Sequence, residues 1–128
     1  MKKNKIQKVS KTKTILVVDD EADIRESVRM ILEPNGYKVI TAKDADDLLK
    51  KIKQKTPDLI LLDIMMPGTP VDKVVKQIEN IKIAYMSVLG MAEARSKGLC
   101  KQDNISDYFQ KPFDANDLIN RVNLILSE

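Results

Sequence analysis

Five polar residues lie at the ends of apolar segments, and their types are those that bind cations or phosphate: Asp19, Asp20, Asp63, Ser87 and Lys111. Three clustered carboxylates repel one another, so they stay ionised only beside compensating positive charge. The Lys111 ammonium together with a divalent cation would supply that charge. The chain has no histidine, which leaves oxygen ligands for a metal, and oxygen ligands favour Mg²⁺ (or Mn²⁺).

Two apolar segments place acids where a site could form. Leu59–Leu62 is apolar without a break and stops at Asp63, and Pro67-Gly68 then turns the chain. Such a run is typical of a strand that is buried on both faces. Thr14–Val18 has the same character and ends in Asp19. Parallel strands end at one edge of their sheet, where open α/β sheets bind ligands, so these acids can converge. Singly, each acid could equally be a turn former or a helix cap.

Strand and helix patterns alternate five times along the chain. Strands are predicted over residues 14–18, 37–41, 59–62, 81–86 and 106–109. Five helices are predicted between and after these strands. The first begins after residue 21, and the second and fifth are capped by Asp44 and Asp114. The third is capped by Thr69, has Pro70 in its first position and ends at Asn80, and the fourth spans residues 91–101. Gly98 weakens the fourth helix. Short connections and right-handed crossovers make this an α/β fold, a doubly wound five-stranded parallel sheet with helices on both faces.

Composition and charge bound the function. A chain of 128 residues allows one ordinary domain. We divide it into a basic, flexible leader over residues 1–13, which has six lysines and no acid, and a domain over residues 14–128. No aromatic residue is interleaved with those lysines, so we do not predict direct nucleic-acid binding. No apolar run approaches the roughly 20 residues that span a membrane. A single cysteine, Cys100, excludes an internal disulfide and fits a reducing compartment, so we expect a cytoplasmic protein.

Three motifs together resemble the receiver domain of two-component response regulators, the CheY-like family. They are Ile15–Glu21, Leu61–Gly68 and Asp107–Phe113, and the resemblance extends from residue 14 to about residue 127. Each motif is modest alone, but the three in this order at strand ends are very specific. The resemblance implies a flavodoxin-like (βα)5 fold with strand order 2-1-3-4-5.

The resemblance also implies roles at the strand ends. Asp63 would be the phosphoacceptor for a phosphoryl group carried on a histidine of a partner kinase. Asp20 and Asp63 would ligate Mg²⁺, with Asp19 acting largely through water and the backbone carbonyl of Met65 completing the protein ligands. Lys111 would pair with a phosphoryl oxygen. Phosphoryl transfer needs alignment and neutralised charge more than covalent chemistry from the protein, which suits these residue types.

A second set of implied roles concerns signalling. Ser87 takes the place of the family's switch hydroxyl and Tyr108 that of its switch aromatic, and the Lys111-Pro112 bond is expected to be cis. Movement of Ser87 toward phosphoryl oxygens would let Tyr108 rotate inward, which couples the site to the face built from residues 91–127. The expected partners are a sensor histidine kinase or phosphotransfer protein and an unidentified output partner on that face, with homodimerisation possible.

The sequence departs from the family pattern in several places. Thr69–Val71 occupies the region where most relatives carry Asp-Gly, and only 24 residues separate Asp63 from Ser87, so the third helix or its preceding loop is expected to be shortened. Val88 replaces the usual small residue and could crowd phosphoryl access. The weak stretch 91–101 suggests a mobile or partly unwound helix. Met65 and Leu89 are bulky and apolar, which predicts slow loss of the phosphoryl group.

Other classes of function remain as alternatives. The leading interpretation is a phosphorylation switch that catalyses its own phosphorylation and is not a turnover enzyme. A phosphatase of the haloacid-dehalogenase class needs a second acid two residues after the first, where this chain has Met65. A degenerate receiver that only docks partners is disfavoured by the retained acids and Lys111. A dinucleotide-binding domain would carry a glycine-rich motif after the first strand, which is absent. The chain is either a stand-alone receiver or one domain of a longer protein.

Overall fold

A computed structural model describes residues 12–66, 68 and 70–127. Five strands and five α-helices alternate along these residues: β1 (Thr14–Val18), α1 (Ala22–Leu32), β2 (Lys38–Ala42), α2 (Ala45–Gln54), β3 (Leu59–Asp63), α3 (Val71–Lys76), β4 (Lys82–Ser87), α4 (Met91–Ser96), β5 (Ile105–Gln110) and α5 (Ala115–Leu126). A 3₁₀ turn, Glu33–Asn35, extends α1. The predicted bounds of β2, β4 and β5 are wrong by one residue at each end, and β3 ends one residue later than predicted.

The five strands form one parallel sheet in the order β2-β1-β3-β4-β5. The predicted order 2-1-3-4-5 and the edge position of β2 are therefore confirmed. Val18 pairs with Leu62 across β1 and β3, and Ser87 pairs with Gln110 across β4 and β5. Because of this register, the residues that follow β1, β3 and β5 emerge at the same edge of the sheet as Ser87.

Alternating side chains of the strands feed two separate apolar cores. Ile15 and Val17 of β1 pack on the face that α1 and α5 cover, whereas Leu16 and Val18 pack on the face that α2, α3 and α4 cover. All five residues of β3 are buried, as its unbroken apolar sequence predicts. Helices on both faces thus enclose the central strand whose last residue is Asp63.

The third helix is shorter than the sequence predicted. It spans six residues, Val71–Lys76, and Pro70 precedes it at the N-cap instead of opening the first turn. The predicted end at Asn80 is wrong because the amides of Gln77 and Ile78 turn back to carbonyls three residues earlier. The predicted Thr69 cap and Pro67 of the turn lie outside the described residues. The shortening itself agrees with the close spacing of Asp63 and Ser87.

The fourth helix also ends early, at Ser96 and not at residue 101. Gly98 has a positive φ of 75°, a conformation that glycine adopts without steric cost. The Gly98 and Leu99 amides donate to the carbonyls of Arg95 and Ala94, which is the hydrogen-bond pattern of a Schellman motif. A defined glycine stop therefore ends α4, and the predicted mobility of this stretch stays a prediction.

Two further sequence predictions concern the chain outside the sheet. The basic leader falls almost wholly on residues 1–11, which lie outside the described residues, so its flexibility stays a prediction. Among the helices that the structure describes, none is both long and apolar enough to cross a membrane.

The predicted caps of α2 and α5 are confirmed and give a stability test. The Asp114 carboxylate accepts a hydrogen bond from the Asp117 amide at 3.0 Å, and Asp44 does the same for Asp47 at 2.8 Å. We expect Asp114→Ala to lower the free energy of unfolding by about 1 kcal/mol, because one N-terminal amide of α5 loses its acceptor. Asp114→Ser supplies a capping oxygen and should keep most of that free energy. Urea unfolding followed by circular dichroism measures both, and equal losses would contradict the capping role.

Candidate functional site

The ends of β1 and β3 bring three carboxylates together. One oxygen from each of Asp19, Asp20 and Asp63 lies within 4.8 Å of the others. Asp19 and Asp63 are buried, with 0% and 4% of their surface exposed, whereas Asp20 is exposed. Hard oxygen donors at this spacing fit a cation such as Mg²⁺. The convergence follows from strand order, since β1 and β3 are neighbours in the sheet.

Asp19 is held from four directions. Its Oδ1 accepts the Glu21 amide at 2.9 Å and its Oδ2 accepts Lys111 Nζ at 2.7 Å. Its own amide donates to the Ala42 carbonyl at 3.1 Å, and its carbonyl accepts Arg25 Nη1 at 2.8 Å. The carboxylate therefore has its protein partners already, which makes Asp19 an anchor for Lys111 more than an open ligand.

Lys111 reaches the cluster from the segment after β5. Its ammonium lies 2.7 Å from Asp19 Oδ2 and 3.5 Å from Asp63 Oδ2, with 11% of the side chain exposed. The Lys111-Pro112 bond is cis, as expected, and the Lys111 amide donates to the Ser87 carbonyl at 2.7 Å. Burial by itself lowers the pKa of Lys111, but the hydrogen bond to Asp19 and the charge of Asp63 outweigh it and raise the pKa above its usual value. The lysine is thus a permanent positive charge in the site.

The surroundings of Asp63 raise its pKa on balance. Burial, above all, and the charges of Asp19 and Asp20 raise the pKa of its carboxyl, against the lowering effects of Lys111 and of the Met65 amide, which donates to Oδ1 at 3.0 Å. Positive charge brought beside these acids would favour the ionised form of Asp63. The residues present therefore fit a divalent cation on charge as well as on ligand type.

The backbone of Met65 has one described role and one predicted role. Its amide binds Asp63, and its side chain is 52% exposed. Its carbonyl as a metal ligand stays a prediction, as does the indirect role of Asp19.

Ser87 ends β4 at the same edge and is fully buried. Its Oγ accepts the Leu89 amide at 3.2 Å. The Leu89 carbonyl in turn accepts a hydrogen bond from the Tyr108 hydroxyl. Ser87 and Tyr108, which the resemblance implies to be a coupled pair of switch residues, are therefore linked through Leu89 in the loop before α4.

Tyr108 lies inward in this structure. Only 6% of it is exposed, and burial raises the pKa of its hydroxyl, against a lowering hydrogen bond with Ser87. The ring meets Tyr85 edge to face, with centroids 6.3 Å apart. A phenol that is kept protonated in this way is a donor to the Leu89 carbonyl, and its role as the switch aromatic stays a prediction.

Sequence reasoning missed Tyr85. It pairs in register with Tyr108, is fully buried, and donates its hydroxyl to the Leu99 carbonyl at 2.6 Å. The two tyrosines thus hold backbone carbonyls on opposite sides of α4, Leu89 before it and Leu99 after it. A tyrosine within an apolar strand was the available signal, because a buried phenol needs a hydrogen-bond partner.

Arg121 of α5 was missed as well. It donates to both carboxylate oxygens of Asp107 and to the Tyr108 carbonyl, the latter at 2.8 Å, and its guanidinium lies 4.3 Å from the centre of the Phe109 ring. Hydrogen bonds with Asp107 are the main reason that the pKa of Arg121 is raised. These contacts fix the backbone of β5 at Asp107 and Tyr108 to α5.

An apolar groove of about 390 Å³ borders the site on the side of α1. Its lining includes Ile24 and Ile31 of α1, and Val88, Lys111 and Phe113 from the loops. Val88 is 61% exposed, so its side chain extends the groove at the surface. The sequence suggested that Val88 could crowd phosphoryl access, and that suggestion stays a prediction.

Comparison with known proteins identifies the class. The model of the response regulator receiver domain family matches residues 15–123, and the chain therefore belongs to this family, whose general function is phosphorylation-dependent switching. The resemblance found in the sequence is thereby confirmed, and the phosphatase and dinucleotide-binding alternatives are wrong. A member of this family is a signalling switch in general and not a turnover enzyme.

Individual relatives agree with this class. The chain is 36% identical over 118 residues to the phosphate regulon transcriptional regulatory protein PhoB of Escherichia coli, covering 88% of this chain and 51% of that protein. It is 40% identical over 116 residues to the alkaline phosphatase synthesis transcriptional regulatory protein PhoP of Bacillus subtilis, covering 89% and 48%. The chain thus spans about half the length of the curated relatives it matches.

Solved structures agree on the fold. A CheY-like receiver domain protein from Methanospirillum hungatei matches with a TM-score of 0.80 and 29% identity, over 91% of this chain and 95% of that one. The response regulator TrrA of Thermotoga maritima, solved in complex with Mg²⁺-BeF, matches with a TM-score of 0.75 and 32% identity, over 90% of this chain and 100% of that one.

The tether made by Tyr85 predicts an effect on stability. We expect Tyr85→Phe to lower the free energy of unfolding by about 1–3 kcal/mol, because the buried Leu99 carbonyl loses its donor while the ring still fills its place. Tyr37 offers a matched control, since its hydroxyl bonds the Asn123 side chain at the exposed surface. Tyr37→Phe should change the free energy by less than about 0.5 kcal/mol. Urea unfolding of the two variants measures the difference, and equal effects would contradict the tether.

Proposed function

We propose that Asp63 accepts a phosphoryl group and that this event switches the protein. The observation that carries the proposal is the position of the Asp63 carboxylate beside two further acids and 3.5 Å from the Lys111 ammonium. Both oxygens of Asp19 already accept short hydrogen bonds, at 2.9 and 2.7 Å. Asp63 Oδ2 has the looser contact with Lys111, which favours it as the attacking atom.

A divalent cation supports this chemistry. Bound Mg²⁺, or Mn²⁺ in its place, would neutralise the acids and the phosphoryl oxygens during transfer. Asp20 and Asp63 are the proposed direct ligands, with Asp19 acting through water and the Met65 carbonyl completing the set. The receiver family typically binds Mg²⁺, and the similar protein TrrA was solved with Mg²⁺-BeF.

The transfer itself needs no further reactant. Asp63 Oδ2 forms a bond to phosphorus as the bond from phosphorus to the histidine nitrogen of the donor breaks, and the electron pair of that bond stays on the imidazole. Lys111 pairs with a phosphoryl oxygen and so exchanges part of its contact with Asp19. The phosphoryl group remains on the chain until water removes it, so the protein catalyses its own modification and turns over no diffusible substrate.

Switching follows from the contacts of Leu89. Phosphoryl oxygens on Asp63 attract the Ser87 hydroxyl, which then gives up the Leu89 amide. The loop before α4 then keeps only the hydrogen bond from Tyr108 to the Leu89 carbonyl, so the loop and the Tyr108 side chain can move together. This movement changes the conformation of the face built from residues 91–127, where an output partner or a second copy of the chain binds.

The phosphodonor is a protein of the same signalling class, a sensor histidine kinase or a phosphotransfer protein. A histidine side chain is short, so the donor surface must come close to Asp63 and contact the residues around it. Val88 and the apolar groove beside Lys111 lie at that approach. The curated relatives are transcriptional regulatory proteins about twice as long, and an output of that kind, on the same chain or on a separate one, fits a receiver that does not itself contact nucleic acid.

Phosphorylation at Asp63 has a direct test. Incubation with acetyl phosphate and Mg²⁺ should add the mass of one phosphoryl group, and Asp63→Asn should abolish that adduct because the attacking oxygen is gone. Asp46→Asn, at an exposed position of α2, is the matched control and should keep it. Chelation of the metal should suppress the adduct in the wild-type chain. An adduct that survives in Asp63→Asn would contradict the assignment of Asp63 as the phosphoacceptor. No adduct at all would favour a receiver that serves only as a docking module.

The lifetime of the phosphoryl group depends on the residues near the path of the attacking water. Met65 is apolar and half exposed beside Asp63, so it offers the water no hydrogen bond. We expect Met65→Asn to shorten the lifetime several-fold, because an amide can orient the water. Decay of the adduct, followed by mass after removal of acetyl phosphate, measures this. Met65→Leu is the control that keeps the apolar character, and an unchanged lifetime in the Asn variant would contradict the explanation.

A further inference from the structure

The Arg25 side chain contacts the acidic cluster at the backbone of Asp19. It is half-buried on α1, and its Nη1 donates to the Asp19 carbonyl at 2.8 Å. That carbonyl belongs to the peptide unit that joins Asp19 to Asp20. The guanidinium therefore lies against the peptide that carries the most exposed acid of the site. In the described residues Arg25 forms no ion pair, so no carboxylate competes for it.

Asp20 has few other constraints. Across the part of the chain that the structure describes, neither its carboxylate nor its amide makes a hydrogen bond. Asp19, in contrast, is held through its carboxylate, its amide and its carbonyl. The orientation of Asp20 thus depends on the two peptides that flank it. The Glu21 amide of the following peptide donates to Asp19 Oδ1, and Arg25 is the side chain that fixes the oxygen of the preceding peptide.

We propose that Arg25 is a positioning residue for the metal site, acting through the Asp19 carbonyl to set the direction of the Asp20 carboxylate. This inference rests on the proposed function, because it takes Asp20 as a metal ligand. Preorganised ligands bind a cation more tightly, and loss of the groups that orient them commonly lowers metal affinity by about 10–100-fold.

The sign of the effect separates positioning from simple charge. Arg25 places a positive charge near three carboxylates, and that charge repels a cation. If charge were its whole influence, removal of Arg25 would leave cation affinity unchanged or raise it. If Arg25 acts by position, its removal lowers the affinity in spite of the relief of repulsion.

The experiment measures Mn²⁺ binding by electron paramagnetic resonance of the free ion, without any phosphodonor. Arg25→Met removes the donor and the charge, and Arg25→Lys keeps the charge and one donor that can reach the carbonyl. Arg29→Met is the matched control, since Arg29 is one turn further along α1 and bonds Glu33 and the Val39 carbonyl. Asp20→Asn is the reference for loss of a ligand.

We expect Arg25→Met to raise the dissociation constant for Mn²⁺ about tenfold, with Arg25→Lys and Arg29→Met within twofold of the wild-type chain. Phosphorylation by acetyl phosphate should recover in Arg25→Met at saturating Mn²⁺, because the defect lies in metal affinity. Circular dichroism establishes that each variant is folded, and should Arg25→Met not fold, Arg25→Gln repeats the test with a neutral side chain.

Three results would overturn the inference in different ways. Wild-type affinity, or tighter binding, in Arg25→Met overturns the positioning role and leaves the proposed function intact. Absence of Mn²⁺ binding by the wild-type chain overturns the proposed function and the inference together. A rate that stays low at saturating Mn²⁺ also contradicts the inference, because it would place the effect of Arg25 outside metal binding.

Discussion

Repulsion among three carboxylates is the constraint on which the rest of the structure depends. Asp19 and Asp63 are buried and Asp20 stands beside them, an arrangement that costs free energy unless positive charge comes close. The parallel sheet enforces it, because β1 and β3 are hydrogen-bonded neighbours in which Val18 lies opposite Leu62, and Asp19 and Asp63 directly follow that pair. Lys111 supplies one compensating positive charge. A bound divalent cation would add further positive charge, and a phosphoryl group on Asp63 would add negative charge.

In the proposed function, the same edge of the sheet converts a local change of charge into a change of shape. Ser87 and Tyr108 do not lie at random beside the acids: each holds one end of the Leu89 peptide residue, through its amide and its carbonyl. Tyr85 holds the far side of α4 at Leu99. We propose this short helix, tethered at both sides, as the element that moves when one tether is released.

The alternation of strands and helices and the positions of the acids and the lysine could be predicted from the sequence, because the central strands are unbroken apolar runs and these residues stand at strand ends. The strand order was implied by the resemblance to the receiver family. The ends of α3 and α4 could not, since they depend on turn-back hydrogen bonds and on the positive φ of Gly98. Arg25 and Tyr85 escaped for a related reason. Their partners are backbone carbonyls, and a sequence motif says nothing about which carbonyl a side chain will reach.

The most direct test is a structure of the chain with Mg²⁺ and BeF, a stand-in for the phosphoryl group. The account predicts the ion between the carboxylates of Asp20 and Asp63, the beryllium bonded to an Asp63 oxygen, and Lys111 drawn away from Asp19 toward a fluoride. An ion bound elsewhere, or Lys111 still paired with Asp19 beside an unmodified Asp63, would contradict the central claim that these strand ends form one phosphoryl-accepting site.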